Sequence, residues 1–168
     1  MSKSQVAIAV MTVSDTRTKL TDTSGGYLVS AVEAAGHRLA ARAFVADDIA
    51  AIRAKAQKWI DYPIIDVIIS TGGTGLTGRD VTPEALQPLF DKQIEGFAAV
   101  FHRVSYDKIG LSTMQSRACA GVAEGTFMFC LPGSGGAVRD GWSVIGPQLD
   151  SATRPCNLVE IMPRLMER

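Results

Sequence analysis

Three short runs of this chain are almost wholly apolar: residues 6–13, 64–69 and 126–131. Such runs are typical of strands that are buried on both faces of a sheet. Between the first two runs, apolar residues recur at spacings of three and four over residues 27–35 and 49–60, which predicts two amphipathic helices. A further strand is predicted at about residues 39–45. Strands that alternate with helices predict an α/β fold, a three-layer α/β/α sandwich with a mostly parallel sheet.

The rest of the chain is predicted mainly helical. A helix is expected from Pro83 to about Phe90, with Thr82 as its N-cap, and residues 96–122 are interpreted as mostly helical. Further helical segments after residue 136 are expected to be interrupted at Pro147, Pro155 and Pro163. A chain of 168 residues without a repeat or a linker predicts one domain over residues 1–168.

A loop rich in glycine follows the second apolar run. Its glycines are Gly72, Gly73, Gly75 and Gly78. Glycine allows a backbone to pass close to a ligand and to point its N–H groups at an anion. Arg79 then adds a fixed cation, and Asp80 adds a carboxylate able to hold a hydrated magnesium ion. The segment therefore predicts a nucleotide or phosphate site.

Four segments follow the carboxyl ends of the predicted parallel strands: residues 12–15, 47–48, 72–80 and 132–136. Ligands of such sheets bind outside the carboxyl ends of the strands, where the strand order reverses. Two of these segments are rich in glycine and three contain acids. We therefore expect all four to meet at one edge of the sheet and to form the site there.

The glycine-rich loop resembles two known nucleotide-binding motifs, but its flanking residues or the position of the following helix differ from each of them. Gly73 to Gly78 has the spacing of the Walker A motif, but Arg79 and Asp80 replace its lysine and hydroxyl residue, which disfavours a P-loop NTPase. The same six residues match Gly-x-Gly-x-x-Gly, the motif of dinucleotide oxidoreductases. In that motif the helix begins among the glycines after the first strand, whereas here it is predicted to begin several residues later, after the third strand.

Composition narrows the classes of partner and the compartment. Seventeen basic and seventeen acidic residues cancel, so neither nucleic acid nor an anionic membrane surface is an expected partner. The first residues lead directly into a predicted strand, and cytoplasmic localisation is expected. Three cysteines and two histidines lack the spacing of a disulfide framework or a zinc site.

Seven motifs together resemble the molybdenum cofactor biosynthesis family, which includes the bacterial MogA and MoaB proteins. They are residues 12–15 (TVSD), 22–25 (DTSG), 70–75 (STGGTG), 79–84 (RDVTPE), 95–97 (EGF), 115–117 (QSR) and 131–133 (LPG). Residues 153–157 (TRPCN) resemble the MoaB branch in particular. The resemblance covers nearly the whole chain and implies the molybdopterin-binding fold of that family.

The resemblance implies a molybdopterin adenylyltransferase. In that reaction the terminal phosphate of molybdopterin attacks the α-phosphorus of ATP, magnesium bridges the phosphates, and pyrophosphate leaves. Asp47 and Asp80 match the family carboxylates tied to magnesium and catalysis, with Asp48 as the alternative to Asp47. Ser116 matches a position close to the chemistry, and Arg117 matches a phosphate clamp.

The remaining implied contacts belong to the pterin and nucleotide pocket. Backbone N–H groups of residues 72–75 are expected to cradle phosphate, with hydroxyl groups of two threonines as added donors. The substrate-binding and nucleotide-binding positions are Thr12, Ser14, Asp15, Gly72, Gly73, Thr74, Gly75, Arg79, Thr82, Ser105, Arg117, Pro132, Gly133 and Ser134.

Two alternatives to the adenylyltransferase remain open at the level of sequence. A catalytically silent pterin-binding paralogue or scaffold of the same fold would bind the pterin without turnover. A dinucleotide oxidoreductase would bind NAD(P)H. The resemblance also implies a homo-oligomer, either a trimer or a hexamer built as a dimer of trimers, and it leaves open whether the pathway serves molybdenum or tungsten.

Overall fold

The computed structural model describes residues 4–167 of the chain. Within this range six strands form one sheet: β1 (Ala7–Val13), β2 (Arg38–Val45), β3 (Val67–Thr71), β4 (Lys92–Gln93), β5 (Cys119–Ala123) and β6 (Thr126–Leu131). Their order across the sheet is β2-β1-β3-β6-β5-β4. The first four strands of that order run parallel, β5 runs antiparallel to β6, and β4 runs antiparallel to β5. The predicted α/β fold with a mostly parallel sheet is confirmed.

Helices cover both faces of the sheet. They are α1 (Thr23–Ala34), α2 (Ile49–Ile60), α3 (Thr82–Leu86), α4 (Glu95–Ile109), α5 (Gly135–Gln148) and α6 (Leu158–Ile161), with short 3-10 helices at Gln87–Leu89, Gly110–Gln115 and Met162–Arg164. On one face α1, α4 and α5 pack through Leu28, Phe101 and Val138, whereas on the other α2 and α3 pack through Ile52 and Leu86. No helix within residues 4–167 combines the length and the apolar character needed to cross a membrane.

The central strands are buried on both faces, as their composition predicts. Every residue of β1, β3 and β6 is buried. Along β1 the side chains alternate: Ile8 and Val10 belong to the α1 face, whereas Ala9 and Met11 belong to the α2 face. Because a strand covered on both sides cannot have a polar face, its sequence is a continuous apolar run.

The strand order reverses between β1 and β3. The chain passes from β1 to β2 on one side and then returns to place β3 on the other side of β1. The segments after β1, β2, β3 and β6 all follow the carboxyl ends of parallel strands. Register places Thr12 beside Thr71, and Thr71 beside Leu131, so these segments leave the sheet at nearly the same level. The predicted meeting of four segments at one edge is confirmed.

Three local predictions are wrong. Residues 64–66 are not part of a strand, because the N–H of Ile65 donates to the carbonyl of Tyr62 in a turn at 3.0 Å. Residues 119–123 form β5 rather than helix, and the two-residue hairpin turn at Glu124 and Gly125 has positive φ at both positions. Pro147 lies inside α5 rather than ending a helix before it.

Thr82 is also not an N-cap. Val81 precedes the first residue of α3 and makes no capping bond through its side chain. Thr82 is the first helical residue, and its buried hydroxyl donates to the carbonyl of Gly72 at 2.8 Å. A threonine before proline is a good cap in sequence, but here a tertiary acceptor takes the hydroxyl.

Candidate active site

A cleft of about 400 Å³ lies at the carboxyl edge of the sheet, between the glycine loop (residues 72–80), α4, the 3-10 helix after it and the start of α5. Ten of the residues predicted from sequence line it: Gly72, Gly73, Thr74, Gly75, Asp80, Ser105, Ser116, Pro132, Gly133 and Ser134. Elements distant in sequence thus bring these residues to one place. Whether they bind a substrate stays a prediction.

The glycine loop begins where three strand ends are in contact. Gly72 has φ of +103°, and a β-carbon there would lie 2.2 Å from the carbonyl oxygen of Val13. Its N–H donates to the carbonyl of Leu131 at 3.0 Å, so Gly72 joins the ends of β1, β3 and β6. This N–H is therefore not available to a phosphate. The N–H groups of Gly73 and Thr74 have no acceptor among the described residues, so they are the donors that this end of the loop can offer.

Asp80, at the far end of the loop, is held by the loop itself. Thr77 donates to Asp80 Oδ2 through its hydroxyl at 2.6 Å and through its N–H at 2.9 Å. The Thr77 hydroxyl, with N–H bonds from Thr77 and Gly75 and the positive charge of Arg117, holds the pKa of Asp80 below its ordinary value despite partial burial. The Asp80 carboxylate is therefore ionised at neutral pH.

Asp47, after β2, lies against the other end of the glycine loop. A β-carbon at Gly73 would lie 3.4 Å from Asp47 Oδ1. Burial raises the pKa of Asp47, and the negative charge of Asp80 raises it further. The two carboxylates thus repel each other across the loop, an arrangement that a shared cation would relieve.

Asp15 fixes the position of Asp47. The N–H of Asp15 donates to Asp47 Oδ2 at 3.1 Å, and the N–H of Asp47 donates to Asp15 Oδ1 at 3.0 Å. Asp15 also forms an ion pair with the largely exposed guanidinium of Arg79. Asp48, the sequence alternative to Asp47, caps α2 by accepting from the N–H of Ala51 at 2.8 Å. Its carboxylate is therefore used in the helix cap, and Asp47 is the better candidate for the site.

Arg117 ties the glycine loop to the segment that carries Ser116. Its guanidinium donates to the carbonyls of Gly75 and Asp80, both at 2.8 Å, and pairs with the carboxylate of Glu84. The backbone N–H of Arg117 donates to the carbonyl of Thr74 at 2.9 Å. The phosphate clamp expected at this position stays a prediction, because in this structure three of the five guanidinium N–H groups donate to protein acceptors.

Thr12 and Ser14 lie beside the cleft rather than in its lining. With Asp22, Ser24 and other residues they surround a smaller cavity of about 100 Å³, and this cavity and the cleft share Gly72 and Gly133. The buried hydroxyl of Thr12 donates to Asp22 Oδ2 at 2.6 Å. The Ser14 Oγ accepts from the N–H groups of residues 16 and 17, both at 3.2 Å. In this structure both side chains thus stabilise the loop that follows β1.

Three serines border the cleft from different elements. Ser105 is buried on α4, and Ser116 lies directly after the 3-10 helix. Ser134 caps α5 by accepting from the N–H of Ala137 at 3.2 Å. Because α5 has 14 residues and Ser134 and Ala137 both line the cleft, the positive end of its dipole lies at the cleft wall, where it favours an anion.

A magnesium ion fits this donor set. No group of three or more His, Cys, Asp or Glu side chains that could hold a metal occurs within residues 4–167. Magnesium does not need one, because it is usually bound through one or two carboxylates, several waters and the phosphates of a substrate. Asp47, against Gly73 at one end of the loop, and Asp80 at the other end are the two carboxylates that would hold such an ion.

Sequence reasoning missed part of the cleft. Phe101, Ile109, Ser112, Thr113, Gln115 and Ala137 line it as well. Four of these lie in the segment 109–115, where α4 changes to a 3-10 helix at Gly110, a residue with φ of +57°. The apolar period is lost at that change, so no pattern indicated which side chains would face the cleft. Thr77, which orients Asp80, was also missed, although its hydroxyl lies three residues before that acid.

Comparison of the chain with known proteins identifies its family. Residues 9–151 match a probable molybdopterin-binding domain. Molybdenum cofactor biosynthesis protein B of Escherichia coli strain K12 is 50% identical over 151 residues, which cover 89% of each chain. The protein of that name from Bacillus subtilis strain 168 is 44% identical over 135 residues, covering 80% of this chain and 79% of the other.

Solved structures agree with the sequence comparison. A crystal structure of molybdenum cofactor biosynthesis protein B has a TM-score of 0.84 and 40% identity, and the match covers 87% of this chain and 92% of that one. The tungsten cofactor synthesizing protein MoaB from Pyrococcus furiosus has a TM-score of 0.78 and 33% identity, covering 86% and 92%. The resemblance predicted from the motifs is confirmed: the chain belongs to the molybdopterin-binding-domain family of molybdenum cofactor biosynthesis proteins.

Proposed function

We propose that this protein binds molybdopterin in the 400 Å³ cleft and adenylylates it with ATP and Mg²⁺, releasing pyrophosphate. The observation that carries the proposal is the pair of carboxylates at the two ends of the glycine loop, Asp47 and Asp80. Asp47 lies against Gly73 at one end of the loop and Asp80 closes the other end, and burial together with the charge of Asp80 raises the pKa of Asp47. Hydrogen bonds to Asp15 and Thr77 hold the two carboxylates individually, but they do not explain why two like charges flank the loop.

The reaction needs positioning and charge neutralisation rather than a strong base. The terminal phosphate of molybdopterin is largely ionised at neutral pH and supplies the attacking oxygen. A new bond forms from that oxygen to the α-phosphorus of ATP, and the bond from the α-phosphorus to the bridging oxygen of pyrophosphate breaks. Bound magnesium would neutralise the phosphate oxygens and the departing pyrophosphate.

The residues in and beside the cleft have separate roles in this proposal. Asp80 lines the cleft and Asp47 lies beside it, against Gly73, and the two would hold the magnesium ion. The N–H groups of Gly73 and Thr74 would donate to phosphate oxygens. The N-terminus of α5 adds a favourable field for the same anions. Ser116 also lines the cleft and would provide a hydroxyl donor.

The names of the relatives limit how far the substrate can be specified. They refer to molybdenum in some cases and to tungsten in one. The pterin is the part that these pathways share, so the proposal concerns the pterin and not the metal that later joins it. We also propose cytoplasmic localisation and a homo-oligomer, a trimer or a hexamer, as the resemblance implies.

The direct test is conversion of purified molybdopterin to its adenylyl form with pyrophosphate counted. We expect one pyrophosphate per adenylylated pterin, and no product when either ATP or Mg²⁺ is omitted. Binding of molybdopterin without turnover under any condition would instead identify a catalytically silent pterin-binding protein. Binding of NAD(P)H in place of the pterin would favour the dinucleotide alternative.

A further inference from the structure

The Asp80 carboxylate is surrounded by donors that come from its own loop. Two bonds from Thr77, one from the hydroxyl and one from the N–H, end on Oδ2. An ionised carboxylate has about four acceptor positions, so these two bonds leave it with capacity for a further partner.

The loop is built so that the carboxylate fits inside it. A β-carbon at Gly75 would lie 2.7 Å from Asp80 Oδ2, so a side chain there would have to displace the carboxylate. Thr77 itself is exposed and does not line the cleft, whereas Asp80 does. Any effect of Thr77 on the site must therefore pass through the orientation of Asp80.

The overall shape of the loop does not depend on the Thr77 hydroxyl. Arg117 holds the loop from outside, through the carbonyls of Gly75 and Asp80 at 2.8 Å each. The N–H of Asp80 donates to the carbonyl of Thr77 at 3.0 Å and closes the turn through the backbone. Removing the hydroxyl therefore leaves the backbone in place and takes away one of the two Thr77 bonds that hold Asp80 Oδ2, so the carboxylate is held less firmly.

We propose that Thr77 is a positioning residue, whose hydroxyl fixes one oxygen of Asp80 so that the carboxylate presents its remaining acceptor capacity to the divalent cation in the cleft. The inference rests on the proposed function, because it takes Asp80 as a cation ligand. Partners that orient a ligating carboxylate commonly change metal affinity or activity about 10- to 100-fold when they are removed. We expect removal of the Thr77 hydroxyl to lower the affinity for the cation by a factor of that size.

Binding of Mn²⁺ alone, measured from the electron paramagnetic resonance signal of the free ion, tests this without catalysis. The variants are Thr77→Val, which keeps the shape and loses the hydroxyl, and Thr77→Ser, which restores it. Asp80→Asn reports whether Asp80 is a ligand at all. Thr153→Val is the matched control, because its hydroxyl likewise donates to one protein acceptor, the carbonyl of Pro147, but lies outside the cleft.

The inference predicts that Thr77→Val weakens Mn²⁺ binding about 10- to 100-fold. It also predicts that Thr77→Ser and Thr153→Val bind as wild type and that Asp80→Asn loses binding. Weaker binding in Asp80→Asn with no change in Thr77→Val would overturn the positioning role and leave the proposed function standing. Unchanged binding in Asp80→Asn would overturn both, since Asp80 would then hold no cation. Equal losses in Thr77→Val and Thr77→Ser would also contradict the role of the hydroxyl.

Discussion

Single residues set the geometry of this site through contacts that leave no room for change. Gly72 occupies a space in which a β-carbon would meet the Val13 carbonyl at 2.2 Å, and its φ of +103° is one that other residues rarely adopt. Gly78, in the same loop, has open space around it. The two glycines therefore look alike in sequence and differ in what they do.

Gly72→Ala is expected to destabilise the protein by about 1–3 kcal/mol through backbone strain alone. The clash of the new β-carbon with the Val13 carbonyl adds to this loss. Gly78→Ala is the control and should be neutral or stabilising by up to about 1 kcal/mol, because alanine restricts the unfolded chain. Urea unfolding of both variants measures the difference. Equal stabilities would show that the ends of β1 and β3 can separate to accept a side chain.

At the scale of elements, the walls of the cleft are joined by a few side chains. Nδ1 of His102 on α4 lies 2.7 Å from the hydroxyl of Thr113 on the following 3-10 helix, and Thr113 lines the cleft. Arg117 joins the segment after that helix to the glycine loop. These connections determine how rigidly the two walls are held relative to each other.

His102 is expected to make stability depend on pH. Burial lowers its pKa in the folded protein, so the unfolded chain binds a proton first, near its ordinary value of about 6.5. The stability that neutral His102 contributes is present above that pH and is lost as the pH falls through it towards the folded pKa. Unfolding measured from pH 7.5 to 5.5 should show this loss in the wild type and a smaller one in His102→Gln. Parallel curves for the two proteins would contradict the prediction.

Arg117→Lys is expected to loosen the glycine loop, because lysine keeps the charge and loses the planar fork that reaches two carbonyls at once. Hydrogen exchange should become faster for amides of residues 72–82 and stay unchanged in β1. Arg103→Lys, an exposed change on α4, is the control. If exchange in the loop is unaffected, the loop is held by its own turns and not by Arg117.

At the scale of the whole molecule, the sequence predicts the fold well because its main signals are local and repeated. The apolar runs of β1 and β6 and the alternation of strands and helices specify a parallel sheet and the edge where its loops meet. β5 was missed because residues 119–123 are small and apolar, a pattern that helices and strands share. Thr82 was predicted as an N-cap because a side chain's preference for a tertiary acceptor leaves no pattern in the sequence, and for the same reason the bonds from Arg117 to the glycine loop were not predicted.

The oligomeric state is also a property of the whole molecule. The resemblance implies a closed symmetric homo-oligomer, so light scattering should give a mass three or six times that of the 17.9 kDa chain. The measured mass should stay the same over a range of protein concentrations, because a closed oligomer does not add further subunits. A mass of one chain throughout that range would contradict the expected assembly.

The measurement that tests the central claim most directly is adenylylation of molybdopterin by Asp80→Ala and Asp48→Asn beside the wild type, with molybdopterin binding measured for each. Asp48 is the matched control because its carboxylate caps α2 next to Asp47. We predict that Asp80→Ala loses turnover by about 100-fold or more while it still binds the pterin, and that Asp48→Asn stays active. Full turnover in Asp80→Ala, or none in the wild type, would contradict the account.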